Sequence, residues 1–211
     1  MSRPKIVCFD LGGVLCKIRH TWAEAIRAAG VPCQKMPDPG FRLNDLDAMH
    51  GFQDGSLSRD SYLAVIRDTF GIHNDDDALA VHHHILDRTY PGADRLVADI
   101  RAAGLRVGCM SNNNPAHWER FLSPEHFPVV AGLDVHVGSH VVGSNKPDGG
   151  IYDAFEKSSG HRGDEIVFFD DSVENLAPAQ ARGWHAFAVD ANGDPPARMR
   201  AELIALGILD R

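Results

Sequence analysis

Lys5-Ile6-Val7-Cys8-Phe9-Asp10-Leu11-Gly12-Gly13-Val14-Leu15 is the stretch on which the fold turns. Lys5 to Phe9 is a short β-favouring run, and it stops at an aspartate followed by paired glycines. Such a run reads as a buried strand ending in a glycine turn. The pattern recurs downstream. Leu105 to Met110 ends at Ser111-Asn112, and Leu133 to Val137 leads into a polar stretch reaching Lys146-Pro147. Ile166 to Phe169 ends at Asp170-Asp171, and His185 to Val189 ends at Asp190. Helical patterns lie between the runs. Ala93 to Ala103 places Leu96, Val97 and Ile100 on one face, with Gly104 as its stop. Gly150 to Ser158, Val173 to Arg182 (closed by Gly183) and residues 197–206 follow, the last after a loop from Asp190 to Pro196. Strands alternating with helices imply right-handed crossovers, and so an α/β fold with a parallel sheet flanked by helices. Ligands of such sheets bind beyond the carboxyl ends of the strands, where Asp10, Ser111, Asn112, Asp170 and Asp171 fall.

One region departs from the alternation. Residues 17–89 carry helical patterns and no good strand. Trp22, Ile26 and Ala29 recur at helical spacing, and so do Tyr62, Leu63, Ile66 and Phe70 behind a helix start at Ser58. Gln34 to Gly40, with two prolines, reads as a loop. The expected organisation is a discontinuous core, residues 1–16 and 90–211, with a small helical cap, residues 17–89, inserted after the first strand.

The bulk composition excludes some classes. The chain has 211 residues, 44% apolar and 24% charged, an ordinary globular balance. Its net charge of −8 repels polyphosphate backbones, which argues against nucleic acid as a partner. No apolar run is long enough for a membrane helix, and Met1 to Phe9 lacks the length and cleavage site of a signal peptide. Cys8, Cys16, Cys33 and Cys109 have no paired spacing and read as free thiols in a reducing cytoplasm. Monomer and homodimer both stay open.

Four elements then line up in order. They are Phe9-Asp10-Leu11-Gly12-Gly13-Val14-Leu15, Met110-Ser111-Asn112, Lys146-Pro147, and Phe168-Phe169-Asp170-Asp171-Ser172-Val173-Glu174-Asn175. Each alone is weak; together, in these contexts, they are a strong signal. The chain resembles the haloacid dehalogenase superfamily over essentially its whole length. Within it, these motifs look like a bacterial branch that includes sugar-phosphate phosphatases similar to glucose-1-phosphate phosphatase. The resemblance implies a Rossmann-like core, a helical cap and a Mg2+-dependent hydrolase acting on a small phosphorylated metabolite, with Mn2+ as an alternative ion.

Elementary chemistry supports that implication. A carboxylate such as Asp10 can attack phosphorus and form an aspartyl-phosphate, but only if the repulsion between anions is cancelled. Magnesium takes a few hard oxygen ligands. The family pattern implies Asp10, the Gly12 carbonyl and Asp171 as that set, with Asp170 as a further ligand or a group behind them and Asn175 orienting them. Ser111 and Asn112 can donate hydrogen bonds to phosphoryl oxygens, and Lys146 adds a cation that reaches both phosphate and nucleophile.

The sequence also departs from the pattern. Many relatives carry a second aspartate, an acid and base, where this chain has Gly12. Three explanations compete: a leaving group that is easily expelled or is protonated by water or substrate, a substitute acid such as Lys17, His20 or a cap residue, or weak or lost catalysis. Asn145 stands where relatives often have arginine, and Lys17 where many carry an acid. His82-His83-His84 cannot converge on one ion from a helix and read as a solvated or partly buried face. Asp75-Asp76-Asp77 lacks calcium-loop spacing and reads as helix-start charge or loop. Competing functions are a metal-independent haloacid dehalogenase, a phosphonate hydrolase needing Lys17 or Lys35 as a Schiff base, and a scaffold without turnover.

Overall fold

The computed structural model describes residues 3–210; Met1, Ser2 and Arg211, which the expected core also takes in, lie outside them. Five strands form one parallel sheet: β1 (Ile6–Phe9), β4 (Arg106–Ser111), β5 (Val135–Gly138), β6 (Ile166–Asp170) and β7 (His185–Ala188). Their order is β5-β4-β1-β6-β7, so β1 is central and the chain reverses direction across the sheet beside it. Phe9 pairs in register with both Cys109 and Phe169, which aligns the carboxyl ends of β4, β1 and β6. That alignment brings Asp10, Ser111 and Asp170 to one edge.

Alternation along β1 sends its side chains to two separate cores. Val7 and Phe9 join Val107, Val167 and Phe169 under helices α5 (Ala93–Ala102) and α11 (Pro195–Ala205). Ile6 and Cys8 join Met110, Ile166 and Phe168 under α9 (Gly149–Ser159) and α10 (Leu176–Ala181). A sheet buried on both faces needs near-continuous apolar strands, and the burial of every residue of β1 and β6 matches this.

Helices α1 (Trp22–Ala29), α2 (Asp47–Asp54), α3 (Arg59–Phe70) and α4 (Asp75–His83) lie between β1 and α5. Thr21 and Glu24 form a capping box at the start of α1, Ser58 caps α3 and Asn74 caps α4. The three aspartates 75–77 occupy the first turn of α4, where they complement the helix dipole. Trp22, Ile26, Phe52, Tyr62, Ile66, Phe70 and Val81 close a core of their own, which Ala116 of the sheet domain also enters.

Residues 17–89 are not strand-free, contrary to the sequence reading. β2 (Cys16–Ile18) and β3 (Leu86–Thr89) form an antiparallel ribbon where the chain leaves and re-enters the sheet layer. Strands of three and four residues are too short to show a period. The segment read as one helix from Val173 to Arg182 divides into a 3-10 turn, Val173–Asn175, and α10. Three short helices were not read: α6 (Pro115–Phe121), α7 (Pro128–Ala131) and α8 (Ser139–Val142). No helix among the described residues is long and apolar enough to cross a membrane.

Candidate active site

A cavity of about 590 Å³ opens beyond the carboxyl ends of β1, β4 and β6. Asp10, Gly12, Ser111, Asn112, Lys146, Asp171 and Asn175 all line it, so the structure brings together seven of the eight residues singled out by sequence. The eighth, Asp170, lies directly behind, with no exposed surface. Its Oδ2 accepts from Lys146 Nζ at 2.6 Å, and its Oδ1 accepts from Asn175 Nδ2 and the Ser172 amide, both at 2.9 Å. With both oxygens engaged, Asp170 holds the lysine and the following turn, while Asp171 faces the cavity.

Lys146 also donates to Asp10 Oδ1 at 2.7 Å, and its side chain is 1% exposed. Burial alone would lower its pKa; Asp10 and Asp170 more than offset this and hold the ammonium above the ordinary lysine range. Burial pushes the Asp10 carboxyl up to about 7, with Asp170 and Asp171 adding to the rise and Lys146 opposing it. Asp171 is raised as well, by burial first and then by Asp170. Oxygen atoms of Asp10, Asp170 and Asp171 lie within 4.8 Å of one another. Three carboxylates against one ammonium leave a negative surplus that a hard divalent cation would relieve.

The turn after β1 is built for this closeness. Gly13 has φ +80°, and a Cβ there would stand 2.4 Å from Asp171 Oδ2. Its amide donates to Cys16 O, folding the chain back toward β2. At Gly12 a Cβ would meet Ile18 Cδ1 at 3.2 Å, so Ile18 covers the position where relatives carry a second acid.

The role expected of Asn112 is narrowed. Its Oδ1 accepts from the Lys146 amide at 2.6 Å and its Nδ2 donates to Lys146 O at 2.8 Å. The side chain therefore joins the Ser111 loop to the lysine turn, with one amide hydrogen left over. Behind it, Asn113 is tied to Ser139 in both directions.

The histidine run is corrected at its first member: His82 is completely buried. Its Nδ1 accepts from Tyr62 Oη at 2.8 Å, and its Nε2 donates to Asn114 Oδ1 at 3.1 Å. Its ring stacks on His117, with centroids 3.8 Å apart. His117 Nε2 donates to His82 O, and its Nδ1 accepts from Asn114 Nδ2. Burial lowers His117 to about 4 and His82 well below its ordinary value, so both are neutral. This seam joins α3 and α4 to α6. Asn114 adjoins the Ser111 motif, but nothing in the sequence pairs it with a histidine 32 residues away.

Lys17 and Lys35 are exposed and do not line the cavity, whereas His20 does. Sequence reasoning missed the rest of the lining from the helical segment: Ile18, Arg42, Leu43, Asn44, Met49, Gln53, Ile85 and Leu86. The four cysteines are free thiols.

A family model described as haloacid dehalogenase-like hydrolase matches residues 4–183. The chain is 28% identical over 213 residues to phosphatase MT3486 of Mycobacterium tuberculosis (strain CDC 1551 / Oshkosh), covering 97% of this chain and 96% of that protein. Among solved structures it is similar to the HAD family enzyme bt-2542 of Bacteroides thetaiotaomicron, with TM-score 0.75 and 22% identity, covering 94% of this chain and 100% of that one. The same enzyme has been solved with magnesium, and with magnesium and inorganic phosphate. A dehalogenase structure also matches, with TM-score 0.61 and 17% identity, covering 93% of this chain and 89% of that one.

Proposed function

The chain belongs to the haloacid dehalogenase-like hydrolases, and from that premise we propose that it is a Mg2+-dependent phosphatase of small phosphate monoesters, with Asp10 as nucleophile. The observation that carries this is the carboxylate surplus around Lys146. Asp10 and Asp171 face the cavity, Gly12 lies beside them, and one buried ammonium cannot balance the three acids. That donor set fits magnesium, with Asp10, the Gly12 backbone and Asp171 as ligands; Mn2+ meets the same oxygen chemistry. When bound, the ion would neutralise the phosphate and favour attack by an anion.

The chain's own groups do the rest. Lys146 opposes the rise that burial imposes on Asp10 and orients its carboxylate for attack on phosphorus, giving an aspartyl-phosphate that water hydrolyses. Ser111 donates to a phosphoryl oxygen. Asn112 fixes the Lys146 turn and offers its remaining hydrogen. Asp170 and Asn175 secure the lysine and the Asp171 turn. Residues 17–89 act as a cap on the core of residues 1–16 and 90–211, and Arg42, Asn44 and Gln53 present it to the leaving group. The phosphatase from Mycobacterium tuberculosis and the magnesium and phosphate complexes of the Bacteroides enzyme support this reading.

A dehalogenase would need no cation, and the three clustered acids weigh against it. A phosphonate hydrolase would need a lysine free in the cavity, whereas Lys146 is committed to two carboxylates. The test is phosphate release from a panel of phosphorylated metabolites with Mg2+ and after exhaustive chelation. Turnover is expected with the ion only. Full activity on chelated protein, or chloride release from 2-haloacids, would overturn the proposal.

A further inference from the structure

Expelling an alkoxide from phosphorus needs a proton at the leaving oxygen, and Gly12 has no side chain to supply one. The titratable residues lining the cavity are Asp10, His20, Arg42, His117, Lys146 and Asp171. In the proposed reaction Asp10 is the nucleophile and Asp171 a metal ligand, Lys146 is bonded to Asp10 and Asp170, and a guanidinium does not release its proton. Both ring nitrogens of His117 are bonded within the seam to His82 and Asn114. His20 is left. Its ring has no hydrogen-bond partner among the described residues.

The backbone around His20 is pinned while its ring is free. The His20 amide donates to Glu24 Oε2 at 3.1 Å, and its carbonyl accepts from the Leu43 amide at 3.1 Å. The chain leaving β2 alternates: Ile18 lines the cavity, Arg19 turns away to His84 O and Asp87, and His20 lines the cavity again. Ile18 covers Gly12, so His20 enters from the same side, next along the chain. We infer that His20 is the acid and base of the reaction, protonating the leaving-group oxygen of an alkyl phosphate.

The inference rests on the phosphatase reading. In the first half-reaction the Asp10 oxygen–phosphorus bond forms and the phosphorus–leaving-oxygen bond breaks. The His20 imidazolium proton passes to that oxygen, releasing an alcohol. In the second half, water attacks phosphorus, its proton passes to the neutral imidazole, and the Asp10–phosphorus bond breaks. The sum is ester plus water giving alcohol plus phosphate. Groups facing His20 are Glu24 on its own segment, Arg42 across the Thr21–Arg42 bridge, and Asp171 and Asp190 across the adjoining cavity.

The test compares wild type, His20→Gln and His20→Ala with Mg2+ on p-nitrophenyl phosphate and a panel of primary-alcohol phosphates. His20 is exposed, so both variants should fold. For His20→Gln, kcat on the alkyl esters should fall about 100-fold or more, while the aryl ester, with its good leaving group, loses less than about 10-fold. KM should stay near wild type. Added imidazole should restore the alkyl-ester activity of His20→Ala and leave His20→Gln unchanged. Equal losses on both esters, no loss, or a wild type active only on the aryl ester would overturn the inference. A wild type that hydrolyses neither ester overturns the phosphatase reading, and the inference with it.

Discussion

Replacing Lys146 with methionine tests the electrostatic core of the site. The ammonium is bonded to Asp10 and Asp170, and the side chains of Lys146 and Asp170 are 1% and 0% exposed. Methionine fills a similar volume but removes the cation bonded to Asp10 and Asp170. Breaking a buried pair from one side costs roughly 3–5 kcal/mol, because the partner charge stays behind. For a chain of this length that is a fall in Tm of roughly 6–20 °C. The molecule has one escape, which is to take up a proton. Burial and the neighbouring acids already hold Asp10 at about 7, and removing Lys146 raises it further. A carboxyl raised in the folded state stabilises that state below its unfolded pKa and loses the contribution as pH rises through the folded value. The gap between wild type and Lys146→Met should therefore be small at pH 5 and widen toward pH 8. Thermal unfolding of chelated protein across that range reads it directly. Lys146→Met/Asp170→Asn, with one charge fewer, should recover part of the loss. A gap under about 1 kcal/mol that does not change with pH would refute the reasoning.

Three further outcomes follow from the geometry. Asp10→Asn should lose nearly all turnover yet, without metal, unfold at a higher temperature than wild type at pH 7; the gain should shrink as pH falls and vanish below about pH 3, where both folded and unfolded carboxyls are protonated. Gly13→Ala should cost roughly 1–2 kcal/mol for its left-handed backbone and weaken Mg2+ binding in titration calorimetry by displacing Asp171, whereas Gly12→Ala, which meets only Ile18 Cδ1 at 3.2 Å, should stay near wild type. His117, held at about 4 against an ordinary 6.5, keeps its stabilisation above pH 6.5 and loses it as pH falls toward 4, by about 3 kcal/mol in full; urea unfolding of Asp10→Asn compared with Asp10→Asn/His117→Gln, in which the raised Asp171 is common to both, should show this decline in the first only, and parallel profiles would count against a neutral seam.

The sequence carried the site further than it carried the cavity around it, and the reason is physical. Asp10, Ser111 and Asp170-Asp171 are strand-end residues, and a parallel sheet in register brings strand ends together whatever lies between them. Reading β1, β4 and β6 as strands was therefore enough to gather those residues. Lys146 lies on a turn, and only the family resemblance attached it to them; the structure shows the bond to Asp10 across 136 residues of sequence. The lining from residues 18–53 obeys no such rule. Whether Arg42 or Gln53 reaches the cavity depends on how α1 to α4 dock, and that docking is governed by pairings such as His82 with Asn114, which have no period and no spacing. A buried neutral histidine also looks like an exposed one in a sequence, because its burial depends on partners that fold brings from elsewhere. The same limit explains the ribbon of β2 and β3. Its three- and four-residue strands carry too little pattern to be seen, yet they set the direction in which Ile18 and His20 leave the sheet, and so which residue stands over Gly12.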